Sequence, residues 1–79
     1  MSNQIDLTQP VAEILEVHPE LLELLINIGF KPLANPTMRN TVGRRVSIKQ
    51  GAKMLNIPIE IIAQELLWNG YTIKGVKDD

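Results

Sequence analysis

The chain predicts a small all-α fold, and three features carry that expectation. Apolar residues recur at helical spacing in PELLELLINI and PIEIIAQELLWN. Each helical stretch is bracketed by residues that start or stop helices, and extended chain is confined to QIDL and YTI near the two ends. The expected architecture is a compact array of about five short helices: two helical hairpins joined by a basic loop with a brief helix of its own, flanked by short extended termini. One domain is expected over residues 5–73, with residues 1–4 and 74–79 as disordered tails.

In chain order, Thr8 is the expected cap of a helix over Gln9–Val17, with Pro10 tolerated in its first turn and Val11, Ile14, Leu15 and His18 on one face. Pro19 suits a first helical position, and the helix it opens runs to Gly29, where a left-handed turn can close it. Asn35 before Pro36 signals a short helix over Thr37–Val42. Ser47 with Gln50 three residues on is a capping box opening a helix to Leu55, with Ile48, Gly51, Ala52 and Leu55 turned inward. Pro58 opens the last helix, which Gly70 closes. Helix, X-Pro, helix, Gly-aromatic thus appears twice, ending at Gly29-Phe30 and Gly70-Tyr71; two hairpins obeying the same start and stop rules account for the echo.

Length and composition narrow the function classes. A chain of 79 residues buries only about 60% of the surface that its unfolded form exposes. With no cysteine there is no disulfide, thiolate nucleophile or cysteine metal site, so self-association is the natural source of extra stability. The apolar run Leu24–Ile26 is far too short to span a bilayer and no basic-then-apolar leader opens the chain, so a soluble, cytoplasmic protein is expected.

The net charge of −1 conceals a dipole. Residues 1–30 hold five acids and no Lys or Arg, whereas residues 31–53 hold Lys31, Arg39, Arg44, Arg45, Lys49 and Lys53 and no acid. Acid again exceeds base from residue 54 on. An anion, an acidic protein surface or a neighbouring copy could satisfy the basic band.

No residue pattern points to catalysis. His18 is the single histidine and sits at a helix junction, where packing is its commoner role; Glu16 and Glu20 do not stand at metal-ligand spacing from it. Ser47 has a capping use and lies in no nucleophile motif. The glycines fit neither a dinucleotide fingerprint nor a phosphate loop. Neither an enzyme nor a metal or other cofactor is expected. GAKMLNIPIEIIAQEL has the outline of a helix-turn-helix, yet its second helix carries no Lys or Arg and offers Glu60, Gln64 and Glu65, so nucleic-acid binding ranks last.

LTQPVAEILEVHPELLELLINIGF, the following ANPTMRNTVGR and VSIKQGAKMLNIPIEIIAQELL together resemble the bacterial family known as domain of unknown function 1858 (DUF1858). The likeness covers about residues 5–70 and implies a small helical domain with an accessory role. Similar segments occur fused to regulatory, hemerythrin-like or iron–sulfur-associated proteins, and no activity is established for the family. Many relatives carry Cys-x-x-Cys just after the glycine; the nearest positions here are Pro32 and Asn35, which removes any thiol role and places the chain in a branch that lacks the motif.

Two surfaces therefore become candidates in a non-catalytic interaction or regulatory module. Asn35 and Ser47 start helices whose N–H groups attract anions, and Arg39, Arg44, Arg45 and Lys49 add charge nearby. Met38 and Val42, at i and i+4, are expected to anchor this segment to the core. In the last helix, Ile59, Ile62, Ala63 and Leu66 form the inward stripe, which leaves Ile61, Leu67 and Trp68 pointing elsewhere as a homodimer interface. The Leu-rich second helix, with only the narrow polar stripe Glu20, Glu23 and Asn27, is expected to have more apolar surface than one small core can cover.

Overall fold

The computed structural model describes residues 3–76. Among these, five α-helices and two short strands follow one another as β1 (Gln4–Asp6), α1 (Val11–Val17), α2 (Leu21–Ile28), α3 (Pro36–Thr41), α4 (Ile48–Met54), α5 (Ile59–Trp68) and β2 (Thr72–Lys74). Single 3₁₀ turns at Lys31–Ala34 and Val42–Arg44 flank α3. The fold is mostly helical, as the sequence predicts, and both expected extended stretches exist. What the periodicity does not reveal is that they pair: β1 and β2 run parallel, with Gln4 opposite Thr72, Ile5 opposite Ile73 and Asp6 opposite Lys74. β1 begins one residue before the expected domain edge and β2 ends one residue after it. Of the expected tails, residues 1–2 and 77–79 lie outside the described residues.

The core is assembled from distant parts of the chain. Ile5 and Leu7 from the N-terminal segment, Leu21 and Leu25 from α2, Ile48 from α4, and Ile62 and Leu66 from α5 are fully buried. Leu22, Leu24, Ile26 and Ile28 of α2 are half-buried and pack against that cluster, so the Leu-rich helix is covered largely within its own chain. Its surplus apolar surface, expected from the narrow polar stripe, is thereby reduced.

Three helices end in the same way. The residue after the last turn takes a positive φ: Gly29 at 145°, Asn56 at 58° and Gly70 at 91°. The amide of the next residue then reaches back to a carbonyl inside the helix: Phe30 N–H to Leu25 O at 2.9 Å, Ile57 N–H to Ala52 O at 2.8 Å, and Tyr71 N–H to Leu66 O at 3.0 Å. These are Schellman turns, which satisfy helix-end carbonyls and aim the following apolar side chain back at the helix. The Gly-aromatic echo is this device, and Asn56-Ile57 is its third use.

Helix starts follow the sequence at Asn35 and Ser47 and depart from it at α1 and at α2, which begins at Leu21 after the Glu20 cap and not at Pro19. Asn35 Oδ1 accepts from Thr37 N–H and Met38 N–H, and Ser47 with Gln50 forms the expected reciprocal capping box. Thr8, expected to cap α1, instead donates both its hydroxyl and its N–H to Asp6 Oδ1, at 2.6 and 2.9 Å. The chain turns there, and α1 begins after Pro10, with Val11 N–H donating to Val46 O. Leu55 also departs from expectation: it is exposed at the end of α4, where it lines an open cavity together with Gly51.

Gly51 is required for space. A Cβ there would lie 2.8 Å from Phe30 Cε1, closer than carbon atoms approach. Gly51→Ala is expected to destabilise the domain by about 1–3 kcal/mol through overpacking, and Leu25→Ala by about 2–5 kcal/mol through cavity formation. Urea unfolding followed by far-UV circular dichroism measures both as lowered midpoints with an unchanged slope.

Candidate functional site

The segment between α2 and α4 owes its shape to internal hydrogen bonds. Arg39 Nε donates to Leu33 O at 2.8 Å, tying the first 3₁₀ turn to α3, and Thr41 Oγ1 donates to Thr37 O at 2.8 Å. Gly43 is buried against Ala12, which seats the second 3₁₀ turn on α1. Arg39 therefore has a positioning role that its charge alone does not suggest.

The six residues proposed from sequence as an anion site do not converge. The side-chain oxygens of Asn35 and Ser47 accept from the very helix-start N–H groups that an anion would use. Arg39 and Arg44 line a shallow depression of about 210 Å³ beside Glu16 and Asn40. Arg44 also borders a second depression, which it shares with Arg45, Asn40, Thr41 and Val42. Lys49 is half-buried, and its backbone N–H donates to Leu7 O, on the side of the first strand.

A groove occupies this region instead. Phe30, Leu33, Val11 and Gly51 form its floor, Met38, Val42 and Val46 its walls, and Met54 and Leu55 its far rim, around a cavity of about 180 Å³. Pro32 and Gly43 complete the lining, which holds no charged side chain. Met38 and Val42, expected to anchor the segment to the core, are both exposed and wall this cavity. Phe30, folded back by its Schellman turn onto Gly51, is buried and lines the same cavity.

The second surface lies on α5. Ile61 is 46% exposed, Leu67 54% and Trp68 72%, whereas Ile62 and Leu66 are buried. The division of this helix into inner and outer faces is the one its periodicity predicts. Glu60 and Gln64 are exposed on the same helix, so the outer face combines large apolar side chains with acid.

His18 is a packing residue at the α1–α2 junction. It is buried, its ring meets Tyr71 edge-on with centroids 5.4 Å apart, and its Nδ1 lies 3.1 Å from Glu20 Oε2. Tyr71 OH donates to the same carboxylate oxygen. That hydrogen bond is the chief reason Glu20 is held below the ordinary glutamate range, with its own backbone N–H and His18 contributing less; reciprocally, the carboxylate pushes the Tyr71 phenol up. Asp6 is likewise held down, chiefly by the Thr8 hydroxyl.

Comparison with known proteins follows the same lines. The model of the family described as domain of unknown function DUF1858 matches residues 5–62. The crystal structure of a conserved domain protein from Streptococcus pneumoniae TIGR4 is similar with a TM-score of 0.92 and 55% sequence identity, covering 98% of each chain. No curated protein sequence matches. No helix among the described residues is long and apolar enough to cross a membrane.

The lowered carboxyl groups set a pH dependence. Stability from Asp6 and Glu20 is present above their unfolded values, near pH 4, and is lost as pH falls through their lower folded values. Tyr71→Phe removes the main stabiliser of the Glu20 carboxylate. It is expected to lower the melting temperature at pH 7 and to weaken the fall in stability below about pH 4, as read by thermal melts across an acid pH series.

Proposed function

The chain belongs to the DUF1858 family of domains of unknown function, and from that premise we propose that it is a non-catalytic interaction module, a cytoplasmic accessory or regulatory domain that self-associates through the outer face of α5. One observation carries this reading: Trp68 is 72% exposed on a helix that also exposes Ile61 and Leu67. Leaving an indole and two branched aliphatic side chains in water forgoes burial that could contribute about 1.5–3 kcal/mol each. Contiguous apolar patches of this kind mark interaction sites, and tryptophan is a favoured anchor in them. The non-catalytic part is supported by the scatter of the polar groups: His18 is engaged with Glu20 and Tyr71, Ser47 caps its helix, and the arginines are spread over two shallow depressions away from both.

An anion-binding domain has less support, because the caps already occupy the helix-start N–H groups. Recognition of duplex DNA has less still. The helix that would enter the groove presents Glu60, Gln64, Leu67 and Trp68, and an acidic, apolar face does not neutralise phosphates.

Sedimentation equilibrium at concentrations on the order of tens of micromolar should give twice the 8.9 kDa chain mass, with Trp68→Ala shifted to monomer while its helicity is kept. A wild-type monomer under those conditions would overturn the reading. A short DNA duplex should not bind tightly at physiological salt; sub-micromolar binding that weakens steeply with salt would put nucleic acid first.

A further inference from the structure

We propose that the apolar groove walled by Met38, Val42 and Met54 is the receptor for α5 of a second copy of this chain, with Trp68 of that copy as the inserted anchor. This deepens the self-association reading and rests on it: α5 stays the interface, but the surface it meets is the groove and not another α5.

Three observations select the occupant. First, size: a cavity of about 180 Å³ is smaller than the roughly 300–1,000 Å³ of a small-molecule site and suits one or two large side chains. Second, charge: every lining residue except Val11 comes from residues 30–55, a stretch with six basic residues and no acid. The outer face of α5 carries Glu60 beside its apolar anchors and is followed by no base until Lys74. Val42 of the groove wall also borders the surface depression that holds Arg44 and Arg45, so an acidic amphipathic helix laid in the groove can meet a basic flank while its anchors meet the apolar lining. Third, placement: no residue of α5 lines the groove, so a chain does not fill its own groove with its own anchor. Ile61 and Trp68 stand two turns apart, at i and i+7, which is the anchor spacing of helix-in-groove recognition.

Anchor and groove lie on different parts of one molecule, so a single contact is heterologous. Two copies that each offer an anchor and a groove can satisfy both contacts about a two-fold axis. That geometry closes as a dimer and leaves neither surface open.

Trp68 is the chain's one tryptophan, so its fluorescence reports its own burial. Met54→Glu places acid on the groove rim at a side chain that is 68% exposed, which leaves the core intact. It is expected to weaken dimerisation on the order of tenfold or more, a change typical of a disrupted anchor pocket. Met38→Glu on the opposite wall should do the same, so a folding defect in either variant, seen by circular dichroism, leaves the other to decide. The decisive step is a mixture. Met54→Glu keeps the tryptophan and loses the groove, whereas Trp68→Ala keeps the groove and loses the tryptophan. Together they can form one working contact, and tryptophan emission should shift to the blue with appearance of a species of twice the chain mass. A wild-type dimer that tolerates both groove variants, or a mixture whose emission does not shift, would overturn the groove as receptor while leaving α5 as an interface, with the groove then open to a different acidic protein. A wild-type monomer would overturn the self-association reading itself.

Discussion

The segment Asn3–Val11 holds the two helical halves together, and its backbone explains how. Leu7 N–H donates to Lys74 O and Leu7 O accepts from Lys49 N–H, each at 3.0 Å, so one residue joins the last strand to the fourth helix. Thr72 N–H donates to Asn3 O and Val11 N–H to Val46 O, which extends the seam in both directions. Between these bonds Ile5 and Leu7 enter the core fully buried. Parallel strands need a long crossover, and here nearly the whole helical body supplies it. Loss of this segment would remove these ties and uncover the core face against which Ile5 and Leu7 pack.

Turn chemistry then decides what each hairpin presents. In every Schellman turn the residue after the positive φ is apolar, and each has a different target. Phe30 folds onto Gly51 and floors the groove; Ile57 packs beside Gly29, where a Cβ would lie 2.9 Å from its Cδ1; Tyr71 reaches His18 and Glu20 at the opposite junction. The three turns thus knit helix ends from one half to helix junctions of the other. The first of these turns bears on the groove: the buried Phe30 ring lines it, together with the exposed Met38 of α3 and Val42 just beyond that helix.

The basic band also changes meaning once folded. Its helix starts are saturated by their own caps, and Arg39 is drawn into holding Leu33 O. What remains is an apolar cavity with Arg44 and Arg45 beside one wall, at Val42, a surface suited to an acidic amphipathic segment more than to a small anion. The outer face of α5 has the complementary character.

Helix positions, the capping box at Ser47, the Asn35 cap and the inner and outer faces of α5 were legible from the sequence because each depends on residues within one or two turns of one another. The extended ends were legible too, as local composition. Their pairing was not, since a strand of three residues carries no signal of its partner. Thr8 was misread because Asp6 competes for its hydroxyl, and Leu55 because the face of α4 that carries Gly51 opens there onto a cavity and not onto the core. Met38 and Val42 mark the limit most clearly. An i, i+4 apolar pair is written identically whether it faces a core or walls a groove. Only the tertiary structure distinguishes the two, because the answer lies in where Phe30 and Gly51 meet, some twenty residues apart in the chain, and in which of two apolar groups reaches the core first.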